Sequence, residues 1–392
     1  MMAGWREYTV ADVISAVIDY RGKTPKKLGG EWSDSGYRAL SAKNIKMGKI
    51  VQLDSIRYVS EEMYRCWMKE EVQKEDILIT SEAPFGQIYY WDSDEKIVLS
   101  QRLFAVRINE LFYPKYIYFY MTSSFFQAEL DGRATGTTVV GLRQPELLKC
   151  KIFAPEYQEQ KRIADILWCL ERKVNNNEAI NDNLLQQAES IFTHYYDAST
   201  EQASFTALIS VLGGGTPKTG ISDFWNGPIP FFTPKDVGTP YTFQTEKYIT
   251  ESGLAHCNSR LYPKNTSFVT ARGTVGKVSL AGKPMAMNQS CYALASDSIN
   301  PLMVYFYALK AVASLKHKAS GAVFDAIVTR DFDTEIVNVL NAEDSEVVLL
   351  TISPMMEAIH SNAEENIRLS NLRDALLPRL MSGEIDVSNL AF

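Results

Sequence analysis

The sequence is short of the features that mark a membrane or secreted protein. No apolar run approaches the roughly 20 residues a membrane helix needs. The opening MMAGWREYTV has no apolar core and no small-residue cleavage site, so a secretory leader is not expected. Cysteine is scarce. Cys66, Cys150, Cys169, Cys257 and Cys291 are odd in number, scattered and free of any CxxC. That excludes a disulfide framework and a zinc ribbon, and fits free thiols in a reducing cytoplasm. Positive charge is also lacking overall, with a net charge of −7. Spread evenly, it would argue against a nucleic-acid partner.

Catalytic signatures are missing as well. Gly273–Lys277, GTVGK, has too short a gap for a phosphate-binding P-loop and is followed by Val278 instead of Ser or Thr. No GxGxxG leads a helix, and HExxH and GxSxG are absent. His194, His256, His317 and His360 lie far apart in sequence. A metal-nuclease set could be drawn only from Asp76, Asp94 and Lys96, a weak pattern. There is no Asn- or Asp-Pro-Pro-aromatic tetrapeptide of the kind amino-methyltransferases use on a flipped base. No catalytic residue and no metal ligand is therefore assigned.

What the chain does have is a long stretch, Gln158–Tyr196, without Pro or Gly. Ile163, Leu170, Leu184 and Ile191 fall on one heptad position, and Leu167, Val174, Ala188 and Tyr195 on the other. Asn177 and Asn181 fill the middle of the stripe. This spacing predicts a helix packed along its length against another helix. About 39 residues make a rod of roughly 58 Å.

The chain also repeats itself. YRGKTPK at 20–26 answers to LGGGTPK at 212–218, and Asn44-Ile45 to Asp236-Val237. ILITSEAPFGQI at 77–88 answers to SFVTARGTVGKV at 267–278, and Gln101 to Gln289. ATGTTVVGLR at 134–143 answers to ASGAVFDAIVTR at 319–330. Asn175, Glu178, Ile180, Leu185 and Ala188 answer to Asn362, Glu365, Ile367, Leu372 and Ala375 at a shift of 187. Each half is thus a globular module followed by a long helix. The expected segments are a first module at 1–154, a spacer helix at 155–197, a second module at 203–341, and a second spacer helix with tail at 342–392.

The fold expected is α+β. Strand-like runs occur at Ile77–Thr80, Ile97–Leu99, Leu103–Ile108 and Cys150–Phe153, then at Pro230–Phe232, Ser267–Thr270 and Val278–Leu280. One amphipathic helix per module is expected, Tyr116–Gln127 and Leu302–Ser314. The second long helix should run from about Glu343 to Leu377. Pro354 should kink it or restart it with Ser353 as cap, and Leu377-Pro378 should end it. The two long helices are expected to pair antiparallel in a pseudo-twofold body, with Asn175, Asn176 and Asn177 facing Asn362. Candidates for the helix pair and for partner docking are Ile163, Leu167, Leu170, Val174, Asn177 and Leu184 on the first helix. On the second they are Ile359, Ile367 and Leu372.

Charge is unevenly placed. Tyr20–Ile50 carries eight basic residues against Glu31 and Asp34, and Asn341–Ala375 carries seven acids against Arg368 and Arg373. Solvated charged faces are the plainer reading of each run alone; together they suggest two kinds of partner. The Gly-Thr-Pro-Lys loops offer Lys23, Thr24 and Lys26, then Thr216 and Lys218, to phosphate oxygens. Lys43, Lys46 and Lys235 lie beyond them, Arg272 and Lys277 sit on a glycine-rich turn, and Arg133, Arg143 and Arg330 belong to the third pair of loops. Double-stranded DNA is the partner these groups suit.

Three stretches resemble a known family, the specificity subunit of type I restriction–modification systems. They are APEYQEQKRIADILWCLERKVNNNEAINDNLL at 154–185, GGGTPKTGISDFWNGPIPFFTPKDV at 213–237 and NIRLSNLRDALLPRLMSGEI at 366–385. The resemblance implies two target recognition domains reading a split DNA sequence, with paired helices as a ruler between the half-sites. It implies methyltransferase subunits docked on the helices and restriction (translocase) subunits joining them. The cofactors, S-adenosylmethionine, ATP and magnesium, then sit on those partners and none on this chain. The first module departs from the pattern: Tyr20-Arg21 and Glu31-Trp32 replace parts of the second module's motif. The half-sites need not be read alike. The alternatives are a self-sufficient DNA endonuclease or methyltransferase, and a coiled-coil scaffold without nucleic acid.

Overall fold

A computed structural model describes residues 4–135, 140–318 and 326–387. The chain forms two compact units. One takes the chain up to Lys173 together with the stretch from Leu369 on; the other is Val174–Arg368. Each long helix is therefore shared between the units, and compactness divides the chain along a different line from the four expected segments.

The first unit holds a four-stranded antiparallel sheet in the spatial order Ile14–Asp19, Leu103–Ile108, Ile77–Thr80, Ile88–Tyr90. A second sheet orders Arg57–Val59, Tyr37–Leu40 and Ile97–Leu99, the last pair parallel. A ribbon pairs Arg6–Thr9 with Lys151–Ala154. The second unit repeats all three. Its main sheet orders Ser210–Gly213, Cys291–Ala295, Ser267–Thr270 and Val278–Ala281, with Tyr241–Thr242 added at the edge. Its second sheet is Lys247–Ile249, Trp225–Phe232, Ala286–Met287, again with the last pair parallel. Its ribbon pairs Gln202–Ser204 with Ile336–Asn338. The internal repeat is a repeat of fold.

The central strands read as apolar runs because both their faces are covered. Successive side chains point to opposite faces. Ile77, Ile79, Phe104 and Val106 enter a core with the tyrosine-rich helix Pro114–Thr122. Leu78, Leu103 and Ala105 enter another with Trp67, Leu40 and Val98. Strand ends shift slightly from expectation: Lys151–Ala154 begins one residue late, Val278–Ala281 ends one late, and Trp225–Phe232 starts earlier through a register irregularity before Ile229.

The single helix expected at Tyr116–Gln127 is two, Pro114–Thr122 and Ser124–Arg133. Ser123 between them is extended, and its hydroxyl donates to the Tyr120 carbonyl at 2.6 Å. Its counterpart runs longer than expected, Pro301–Lys318.

The long helices are Tyr157–Ala198 and Ala342–Met381. The heptad stripe is only partly the inward line. The side chains turned in are Ile163, Leu167, Glu171, Val174, Asn177, Asn181, Leu185, Ala188 and Phe192. They cover 29 residues in eight steps, close to the 3.6-residue turn of an α-helix. A 3.5-residue stripe drifts off this line, so Leu170, Leu184, Ile191 and Tyr195 are only half-buried.

The second helix runs through both prolines, which corrects the expected stop at Pro378 and the cap at Ser353. Pro354 is exposed, and the carbonyl it frees, on the 70%-exposed Leu350, can turn to water. Ser353 instead donates to the Leu349 carbonyl at 2.7 Å. The helix ends where Gly383 takes φ +74 and its N–H meets the Leu380 carbonyl.

Within the second unit the helix segments run antiparallel. Asn177 reaches Glu365 and Asn366, and Asn181 reaches Asn362 and Ile359. Asn175 and Asn176 do not take part; both are exposed. Among the described residues no helix is long and apolar enough to cross a membrane.

Candidate nucleic-acid interface

The same turn is built twice at the end of each main sheet. In the first unit Thr80 begins it and Gln87 closes it: Thr80 N–H donates to Gln87 O at 3.0 Å, and Gln87 N–H to Thr80 Oγ1 at 2.8 Å. In the second, Thr270 and Lys277 make the same two bonds at 2.9 Å each. Ala83 and Gly86 have positive φ, as do Gly273 and Gly276. Ser81 N–H donates to Arg102 O, and Ala271 N–H to Ser290 O, both at 2.8 Å. Ser81 O accepts from Leu142 N–H, and Ala271 O from Ile327 N–H, both at 2.9 Å. Glu82 and Arg272 thus stand at one position of one turn, with opposite charge.

A cleft opens beside each turn. In the first unit, about 540 Å³ is bordered by Asp19, Arg21, Lys23, Ser81, Glu82 and Arg102. Its charges are committed in pairs: Arg21 grips Asp19 at 2.6 Å, and Arg102 Nε lies 3.0 Å from Glu82 Oε1. In the second unit, about 380 Å³ is bordered by Thr233, Lys235, Lys247, Arg272, Asn288 and Ser290. Lys235 lies 3.6 Å from Glu246. Arg272 is exposed, and its guanidinium has no hydrogen bond or ion pair among the described residues.

The remaining cationic candidates divide. Lys26, Lys43, Lys46, Lys218 and Lys277 are exposed. Lys43 and Lys235 are equivalent: Ser41 donates its N–H and hydroxyl to Asn44 Oδ1 around one, and Thr233 does the same to Asp236 Oδ2 around the other. Lys23 is turned inward, donating to the Trp67 carbonyl at 3.0 Å with its ammonium over the Tyr20 ring. Thr24 is half-buried and accepts from Lys27 N–H at 3.3 Å. Thr216 bonds Gln289. Arg133 is held by Glu129 at 3.1 Å and Glu146 at 3.8 Å.

The glycines of the two loops also differ. A Cβ on Gly214 would come within 2.1 Å of Asn288 O, whereas Gly22 has nothing within 4 Å.

Two pairings read from the sequence are out of register. Arg143 caps the helix Gln144–Leu147, and its counterpart capping Thr329–Asp333 is Val328, not Arg330. Both arginines are exposed. The compared loops themselves lie partly at 136–139 and 319–325, outside the described residues. On the long helices, the inward positions Val174, Asn177, Leu185, Ala188 and Phe192 map at 187 onto five exposed residues, Leu372 among them at 47%. A shift of 188 maps them onto Asn362, Glu365, Arg373, Leu376 and Leu380, none exposed. Of the helix candidates, Ile163, Leu167, Val174, Asn177 and Ile359 are buried, Ile367 is half-buried like Leu170 and Leu184, and Leu372 is open.

Two members of the weak nuclease set, Asp76 and Lys96, are engaged by other partners. Asp76 is 1% exposed and bonded by Arg107 at 2.9 and 3.0 Å and by the Gln73 N–H. Burial pushes its carboxyl up from the ordinary value, against the pull of Arg107. Lys96 pairs instead with Glu71. Sequence reasoning missed Glu82 and Glu171. Glu171 is buried, accepts from the Tyr118 hydroxyl at 2.8 Å, and has its carboxyl raised by burial.

A family model described as the type I restriction modification DNA specificity domain matches residues 2–186 and 206–367. The chain belongs to this family. It is 21% identical to the HindI specificity subunit of Haemophilus influenzae, over 81% of this chain and 88% of that one. A second match, 26% identical to the MjaIX specificity subunit of Methanocaldococcus jannaschii, spans 40% of this chain and only 38% of that relative. A third, 36% identical to the EcoR124I/EcoR124II specificity subunit of Escherichia coli, spans 24% of each. Among solved structures, the type I restriction-modification S subunit from M. genitalium shares the fold, with a TM-score of 0.61 over 96% of both chains at 14% identity. The two blocks matched by the specificity-domain model fall on the two copies of the module, each with its turn and cleft.

Proposed function

We propose that this chain is the DNA-recognition subunit of a type I restriction–modification complex. Each module reads one half of a bipartite target, and the chain positions methyltransferase and restriction subunits on it. The observation that carries this reading is the duplicated turn and cleft, alike in the hydrogen bonds that close the turn and different in side chain. Two readers built on one frame suit a split, asymmetric site.

The chain supplies recognition and not chemistry. S-adenosylmethionine, ATP and magnesium belong to the partner subunits, and the complex works in the cytoplasm. The exposed apolar side chains Ile180, Val347 and Leu350 on the second unit's helix segments offer these partners places to dock.

Methylome sequencing tests this. A host carrying the chain with its methyltransferase subunit should show a split motif of modified bases that a host lacking the chain does not show. No motif dependent on this chain would overturn the reading.

A further inference from the structure

The position shared by Glu82 and Arg272 has a chemistry that a phosphate contact does not explain. A side chain that grips the DNA backbone is a cation or a neutral donor and not a carboxylate, because every phosphate is anionic. Here the hydrogen bonds that close the turn are the same, although the Ala83–Pro84 peptide is cis where Gly273–Thr274 is not, and the charge is reversed. Base edges, unlike phosphates, come in complementary kinds. Arg donates bidentately to guanine O6 and N7, and Glu accepts from cytosine N4.

The surroundings agree with a base contact. Arg272 projects from the rim of its cleft with no partner among the described residues to hold it back. Glu82 is steadied by Arg102, with Nε 3.0 Å from its Oε1. That pairing lets a carboxylate sit in a DNA-facing cleft, because its charge is balanced within the cleft itself. The turns are rigid: each is closed by two backbone bonds and a threonine hydroxyl, so the side chain at this position is presented from a fixed base.

We propose that this position determines base specificity in both modules, with Arg272 reading a guanine in one half-site and Glu82 a cytosine in the other. The inference rests on the proposed DNA-recognition function and names a reading residue in each module. Lys277 and Lys235 then serve as backbone contacts, identical in purpose across sequences.

The test is methylome sequencing of hosts expressing the intact complex with R272A or E82Q. R272A should make one guanine position degenerate, with discrimination there falling on the order of 10- to 100-fold, and leave the other half-site unchanged. E82Q should shift one position in the opposite half-site from cytosine toward adenine, since Gln pairs with adenine N6 and N7. The unchanged half-site reports that each variant is folded.

If R272A abolishes modification, Kd of the purified complex on sites varied base by base decides. Weakening confined to the guanine-bearing site supports the assignment; equal weakening on every sequence marks a phosphate contact and overturns it. A wild-type motif retained by both variants also overturns it while the proposed function stands. A wild-type chain that directs no motif removes that function, and this inference with it.

Discussion

Asn177, 1% exposed in the seam between the long helices, donates at 2.7 Å to Glu365 and at 2.8 Å to Asn366. Asn366 in turn donates to the Val174 carbonyl at 3.3 Å. A polar side chain in such a seam fixes which turns of the two helices face each other. N177A removes both of these hydrogen bonds. Thermal unfolding should show a loss of about 1–3 kcal/mol, the net worth of two such bonds.

Glu171 makes the stability of the fold depend on pH. Burial raises its carboxyl in the folded protein, so folding favours the protonated form. Its contribution to stability is full below the unfolded value, near 4.3, and is lost as pH rises through the raised folded value. E171Q keeps an acceptor for the Tyr118 hydroxyl and removes the titration. The midpoint of E171Q should gain on the wild type as pH rises through that range, then hold steady.

Asp76 separates a core ion pair from a catalytic carboxylate. D76A leaves the Arg107 guanidinium, itself 21% exposed, with Glu70 as its remaining ion-pair partner. The first unit should lose about 2–3 kcal/mol, the worth of a hydrogen-bonded charge, and less than stranding a fully buried one. Denaturant titration checks this.

Lys218 is exposed on the second Gly-Thr-Pro-Lys loop, and the proposed function makes it a contact to the DNA backbone. K218A should weaken DNA binding equally on all sequences. It should also reduce the slope of log affinity against log salt by about 0.9. The bases of the methylated motif should not change.

Much of this was legible in the chain. The repeat of ILIT with SFVT and of Gly-Thr-Pro-Lys carries the duplicated fold, because each copy places the same strand and turn residues in the same order. The long helices were legible from a stretch free of Pro and Gly. Their inward line was not, because a heptad and a 3.6-residue line share Ile163, Leu167, Val174 and Ala188 and part only at residues such as Glu171 and Phe192. Pro378 misled because a helix tolerates proline where the freed carbonyl, here on the exposed Asp374, meets water. Positive charge does not mark Glu82, a carboxylate. Lys23 and Arg133 carry the charge that suits phosphate, and packing turns them toward Trp67 and Glu129.

The central claim is that each module reads its own half of a split target. The most direct measurement exchanges residues 1–154 for the first module of another family member and sequences the methylome of a host carrying the hybrid complex. The account predicts that one half-site changes to that of the donor while the other stays as it was. A change in both halves, or in neither, would contradict it.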